Sequence, residues 1–301
     1  MDHADPPPTI EDRMRAALPE LTRAERQAAS HILSHFPMSA LGSITALARA
    51  ADVSSPTVVR LVQKLGFRGY TDYQSALRAE VARLLTAPLT LPEGAREAAA
   101  HPLQGFAAQV VANIDATIAQ IPPREFLAAA ALLADTSRRV TVIGGRLTHA
   151  HGDYFATLLR VIRADVTFLA DVLTDWQQAL LDLRAGDVAV VFDIRRYEAN
   201  AVHFAEMAAA QGAEVVLITD RWMSPAAGHA RHVLACAVEV PAAWDSTASI
   251  LVVIEALLAQ VQGRLADQVQ ARLNRLEDLF ARTKVFRAPK VGGKGELPPS
   301  S

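Results

Sequence analysis

Two parts of the chain gather residue types that bind anions. In the stretch Ser43–Gly66, Val58, Leu61, Val62 and Leu65 recur at helical spacing, and Ser55, Thr57, Arg60, Gln63 and Lys64 are expected on the opposite face. Hydroxyl, guanidinium, amide and ammonium groups at the start and along one face of a helix bond phosphates and reach base edges in a DNA major groove. Arg68 and Tyr70, just past Gly66, are placed either to touch backbone phosphates or to sit idle in a surface loop. The second part is a set of three loops. Gly144-Gly145-Arg146-Leu147-Thr148 follows a β-rich run, with Gly145 for close backbone approach, Arg146 for an anion and Thr148 as a hydroxyl or helix cap. Asp193-Ile194-Arg195-Arg196-Tyr197-Glu198 ends another such run with adjacent arginines, which either bind an anion or pair with Asp153, Asp193 or Glu198. Trp244-Asp245-Ser246-Thr247 precedes a long helix; Asp245 or Ser246 suits its cap, and Ser246 is also a ligand candidate.

The elements that must position these groups follow from patterning. Ser43 caps a short helix with Ile44, Leu47 and Ala48 inward, Asp52-Val53 turns, and Ser54 or Ser55 caps a second helix with Pro56 in its first turn. Gly66 supplies a left-handed stop. This spacing, with small Ala48 at the crossing, is that of a helix-turn-helix, although a structural three-helix bundle with a solvated polar face has the same pattern. Residues 44–83 hold six basic and three acidic residues, a local +3 in a chain of formal net charge −2. That balance excludes a protein that coats nucleic acid by bulk charge.

Across 103–283, runs at Val140–Gly144, Val166–Leu169, Val188–Asp193, Glu214–Thr219 and Val233–Val240 alternate with helices at about 148–163, 174–182, 198–211 and 223–230 and one at about 246–282. The pattern predicts an α/β doubly wound parallel sheet behind an all-α domain. The expected division is a helix-turn-helix domain at 10–85, a Pro-bearing linker at 86–102, a ligand-sensing and dimerisation domain at 103–283 and a disordered tail at 284–301. Length (301 residues) and composition (51% hydrophobic, 21% charged) fit two ordinary domains.

The run Leu21-Thr-Arg-Ala-Glu-Arg26, then Leu47-Ala48, Val53-Ser54-x-x-Thr57-Val-x-Arg60-Leu61 and Lys64-Leu-Gly-Phe-x-Gly-Tyr70 resembles the N-terminal domain of RpiR-type bacterial transcriptional regulators. The resemblance implies a C-terminal sugar isomerase (SIS) domain that binds phosphorylated sugars, in agreement with the element order read independently. SIS domains carry Gly-x-Gly-x-Ser after the first strand and Ser-x-Ser-Gly-x-Thr after a later one. Here the first is Gly144-Gly145-Arg146-Leu147-Thr148, and the second is replaced by Asp193-Ile194-Arg195-Arg196-Tyr197. Arginines in place of serines point to an anion gripped by side-chain charge, a sugar phosphate or another small anionic metabolite.

The expected protein is a DNA-binding regulator, not an enzyme, with no cofactor, metal or catalytic residue. The lone Cys236, among apolar neighbours, reads as core and excludes an intramolecular disulfide. His149 and His151 lack partners at a metal-ligand spacing, and Gly144-Gly145 without a third glycine is no dinucleotide fingerprint. The N-terminus has no secretory apolar segment, and Ile250–Ala259 is about ten residues where a bilayer span needs about twenty, so a cytoplasmic protein with no membrane partner is expected. A stripe of Leu265, Val269, Leu273, Leu276, Leu279 and Phe280 suggests pairing with a partner subunit, and reading two half-sites of a palindromic operator calls for a homodimer or higher homo-oligomer. Transmission from cleft to DNA is assigned to the linker. Two other readings fit the same residues. One is a SIS-type sugar-phosphate isomerase with an accessory helical domain, using Glu198, His149 or His151 as acid or base. The other is a sensor whose cleft is filled by ion pairs of Arg195 and Arg196.

Overall fold

The structure, a computed structural model, describes residues 9–34, 36–86, 102–170, 176–242 and 244–284. Residues 87–101 of the expected linker and 285–301 of the expected tail lie outside the described residues. The N-terminal part is all helical: α1 (Ile10–Ala17), α2 (Arg23–Ser34), α3 (Met38–Leu41), α4 (Ile44–Ala50), α5 (Ser55–Lys64) and α6 (Tyr70–Thr86). Its core gathers Met14, Ala29, Ile32, Leu47, Val58, Leu61, Val62, Tyr73 and Leu77. The apolar stripe of α5 is inside as its spacing requires. Ser43 caps α4 by accepting from the Ala46 amide at 3.2 Å. Ser54, one of the two candidates, caps α5 by accepting from Thr57 N at 3.3 Å. Asp52 (φ 53°) makes the turn between them, and Gly66 (φ 89°) follows the end of α5.

The C-terminal part follows as α7 (Pro102–Gln120), α8 (Pro123–Ala134), β1 (Val140–Gly144), α9 (His149–Ile162), β2 (Val166–Phe168), α10 (Trp176–Asp182), β3 (Val188–Asp193), α11 (Ala199–Ala210), β4 (Glu214–Asp220), β5 (His232–Cys236), α12 (Ala248–Arg264) and α13 (Ala266–Thr283). The five strands are parallel in the order β2-β1-β3-β4-β5. β3 is buried along its whole length. Val188, Val190 and Phe192 join α8, α9 and α12 in one core layer, while Ala189 and Val191 join α10 and α11 in the other. The order reverses between β1 and β3, the place in an open parallel sheet where the loops at the strand ends diverge and a ligand crevice is expected. Cys236 is fully buried, and burial pushes its thiol far up.

Three expectations about elements are corrected. The helix expected over 246–282 breaks at Leu265 into α12 and α13, bent by 103°. α13 therefore folds back along the same molecule: Val269 is buried, and Arg272 donates to the carbonyls of Arg160 (2.7 Å) and Val161 (3.2 Å) at the end of α9. The helix expected over 223–230 is a single 3-10 turn, Pro225–His229, because Ser224 and Pro225 start it and the chain must return to β5. β5 ends at Cys236, four residues short of the apolar run. Among the described residues no single helix is long and apolar enough to cross a membrane.

Arg163 is nearly sealed from solvent, yet its guanidinium donates to the carbonyls of Leu133 (2.7 Å), Asp135 (2.9 Å), Ala164 (3.1 Å) and Arg138. It thus ties the end of α8 to the turn before β2. Replacing it, Arg163→Met, should lower the unfolding free energy by on the order of 3 kcal/mol, because buried carbonyls lose their donor. Urea denaturation checks this; an unchanged midpoint would mean that the carbonyls find other partners.

Candidate nucleic-acid interface and ligand cleft

The reading face of α5 is narrower than its sequence pattern suggests. Arg60, Gln63 and Arg68 are exposed and Ser55 is half-buried at the helix start. Thr57 is buried at 4% exposure, which corrects its expected place on the open face. At the third helical position its hydroxyl is drawn back to the Ser54 cap, 2.8 Å away, and accepts from Arg60 Nη2 at 3.3 Å. Thr57 therefore orients Arg60. Lys64 is exposed but spans to α2, where Nζ lies 2.7 Å from Glu25 Oε2. That bond, with the Thr22 amide and hydroxyl, outweighs burial and holds the Glu25 carboxyl down at about 2. Arg68 is folded toward Asp72 (3.4 Å) at high exposure. Tyr70 points inward, its hydroxyl lying 3.1 and 3.0 Å from the Ala40 and Gly42 carbonyls, so it is no phosphate contact.

The predicted loops meet at the β1/β3 switch point, the expected ligand crevice, but many of their polar atoms bond within the protein. The Thr148 hydroxyl donates to the Phe192 carbonyl (2.7 Å) and accepts from Gly145 N (2.8 Å), so it clamps β1 to β3 and has no proton left to give. Thr148 stands at the helix start without a side-chain cap. The Glu198 carboxylate accepts from Arg146 N and lies against Gly145, where a Cβ would stand 2.8 Å from Glu198 Oε1. A side chain at 145 would therefore have to displace the Glu198 carboxylate. Arg195 (φ 35°) and Arg196 (φ 49°) take consecutive left-handed conformations, each costing roughly 1–3 kcal/mol for a non-glycine residue. Arg195 pairs through two nitrogens with Asp245, at 2.7 and 2.9 Å, instead of with Asp153, Asp193 or Glu198. Arg196 is exposed. Neither Asp245 nor Ser246 caps α12; Thr247 occupies that position without a side-chain bond. The Ser246 amide instead donates to Val238 O at 2.8 Å.

Below this rim lie two buried carboxyls. Asp193 accepts from the Ser224 hydroxyl and from Glu198 N (3.2 Å). Burial pushes it up to about 7, with the nearby charges of Asp220 and Glu198 adding and those hydrogen bonds opposing. Asp220 has no exposure and is likewise pushed up by burial. It accepts from Tyr197 Oη (2.6 Å), Arg195 N (2.7 Å) and Trp222 N (2.9 Å). Asp220, Trp222, Ser224 and Glu239 escaped the sequence reading. The rule that selects loops at the C-terminal ends of parallel strands applies equally to the loop after β4 and would have found the first three. His149 packs edge-on to Phe168, and among the described residues no group of His, Cys, Asp and Glu could hold a metal ion.

Residues 9–83 match the helix-turn-helix domain of the rpiR family, and residues 132–260 match the SIS domain. HexR of Pseudomonas aeruginosa, an HTH-type transcriptional regulator, is 29% identical over 212 residues, covering 69% of this chain and 72% of its own length. The sugar isomerase domain of an RpiR transcription factor from Sphaerobacter thermophilus superposes with a TM-score of 0.55 at 24% identity, over 59% of this chain and 98% of that one. NanR of Vibrio vulnificus, solved in complex with ManNAc-6P, superposes with a TM-score of 0.54 at 19% identity, over 92% of this chain and 100% of that one. At these identities the superpositions establish the fold.

An unfolded aspartate ionises near 3.8 and Asp193 in the folded chain near 7. The folded state therefore holds an extra proton between those values. Its contribution to stability is whole below pH 3.8 and is lost as the pH rises through about 7. In Asp193→Asn, the part of that decline owed to Asp193 should disappear from melting temperatures measured across this range. A variant whose melting temperature still falls as steeply would show that Asp193 is ionised throughout.

Proposed function

The chain belongs to the RpiR family of helix-turn-helix proteins that carry a SIS domain, and from that premise we propose that it is a transcriptional regulator whose α5 reads operator DNA under the control of a small anionic metabolite. The observation that carries this reading is the exposed set of Arg60, Gln63 and Arg68 on and just beyond a capped second helix, with Arg60 steadied by Thr57. Ser55 adds a hydroxyl and amide at the helix N-terminus, where a phosphate is favoured. Lys64 contributes by lying along the same edge while bonded to Glu25.

The metabolite binds at the β1/β3 crevice. Gly145, Arg146, Thr148, Arg195, Arg196 and Ser246 frame it, with Thr148 and Gly145 shaping the loop and the arginines supplying charge. A phosphorylated sugar is the class that fits best, because the family's SIS domains take such ligands and NanR of similar fold was solved with one. Its phosphate would replace the Glu198 carboxylate beside Arg146 N, one anion exchanged for another in the same backbone cradle. The chain acts without catalysis in this reading. Asp193 and Asp220 are no acid or base for a ligand, being buried with their oxygens turned to internal donors, and Glu198 is the carboxylate that the phosphate displaces. The working unit is a cytoplasmic homodimer on a palindromic operator, with the division between DNA-reading and sensing parts at 86–102.

Selection of bound fragments from random DNA at physiological salt tests the reading. The expected product is a palindrome with half-sites about one helical turn apart. Arg60→Ala should weaken binding to it by about 1–3 kcal/mol while sparing unrelated DNA. Absence of any sequence preference would contradict regulation and send attention to isomerase assays.

A further inference from the structure

The loop after β4 leaves the sheet and enters the helical domain. Trp222, 7% exposed, belongs to the same apolar cluster as Ile10, Met14 and Ile32, and meets Phe36 edge-on with ring centroids 6.0 Å apart. Tyr197, from the crevice loop, packs against that cluster as well. Arg221 lies 3.3 Å from Glu11 on α1 and 2.7 Å from Glu239, and its guanidinium covers the Trp222 ring at 4.7 Å. Glu239 also accepts from Trp222 Nε1 at 2.8 Å. The indole is thus fixed at its ring nitrogen by the sensing domain while its apolar face is held by the DNA-reading domain.

One carboxylate joins this plug to the crevice. Asp220 Oδ1 accepts from Trp222 N and from the Tyr197 hydroxyl, and Oδ2 accepts from Arg195 N. Two of these donors belong to the loop framing the ligand site and the third to the residue seated in the other domain. The reading face of α5 remains exposed while Trp222 is seated. Docking therefore positions the reader without covering it.

Building on the regulator reading, we infer that Asp220 couples the ligand crevice directly to the DNA-reading domain by holding Trp222 in its seat. An occupant that pulls on Arg195 or Tyr197 shifts the Asp220 acceptors and with them the amide of Trp222. Asp220→Asn keeps the shape but supplies one oxygen acceptor where two are used, so it cannot serve both loops as before. Tyr197→Phe removes only the hydroxyl donor and retains the ring.

The test uses the full chain with Trp222 as its single tryptophan (Trp176→Phe and Trp244→Phe), followed by emission and acrylamide quenching, alongside affinity for the selected operator fragment. With circular dichroism unchanged, both variants should shift Trp222 emission to the red, raise its quenching and weaken operator binding by roughly 5- to 150-fold, the range of ordinary allosteric coupling. Emission and quenching equal to the parent in Tyr197→Phe and Asp220→Asn would overturn the inference. A loosened Trp222 with unaltered operator affinity would overturn it too. If the parent protein prefers no operator at all, the regulator reading fails, and with it the coupling to DNA. The fluorescence still decides whether Asp220 seats the plug.

Discussion

A carboxylate removed from water must be hydrogen-bonded or neutralised, because leaving it bare costs several kcal/mol. Asp220 meets that demand with donors from two loops at once, and the architecture around the crevice depends on the arrangement. The Arg195 amide reaches it from a turn in which Arg195 and Arg196 take left-handed backbone angles. The same turn delivers the Arg195 guanidinium to Asp245, just ahead of α12. The local strain is thus held by an ion pair on one side and a buried acceptor on the other.

This places charge where a sugar-phosphate site of the usual pattern would have hydroxyls. Thr148 keeps one hydroxyl from that pattern but uses it to tie the end of β1 to Phe192 on β3. Glu198 brings an anion of the protein's own to the backbone amide of Arg146. In the proposed reading, the anion of a metabolite would exchange with this resident carboxylate. Such exchange gives a switch two defined states, which a passive cradle would lack.

The fold was largely legible from periodicity. Spacing of three, four and seven residues placed Val58, Leu61, Val62 and Leu65 on the inner side of α5 and its cap, and a continuous apolar run of Val, Ala and Phe placed β3 in a doubly covered sheet. The break at Leu265 was not, since an apolar stripe continues through it and only packing against α9 decides the bend. The site was legible at the level of loops. Which of its groups are free depends on partners far away in sequence: Asp245 for Arg195, Glu25 for Lys64, Phe192 for Thr148. Thr57 misled for a local reason, because a hydroxyl three residues past a serine cap turns back to it. Trp222 escaped the sequence reading altogether, because nothing in local pattern reveals a side chain seated in another domain.

On the coupling inferred above, the transmission path runs through Trp222 and Tyr197. The crevice loop and the helical core touch there, with Trp222 in the helical cluster and Tyr197 packed against it. The central claim is that one free energy links crevice and operator, and linkage makes it measurable from both ends. The decisive measurement is calorimetric titration of the full chain with hexose 6-phosphates, with and without saturating operator fragment, paired with operator affinity with and without the same sugar phosphate. Each partner is expected to alter the other's affinity by the same factor, about 5- to 150-fold. Sugar-phosphate binding that leaves operator affinity untouched, or no binding by any member of that class, would contradict it.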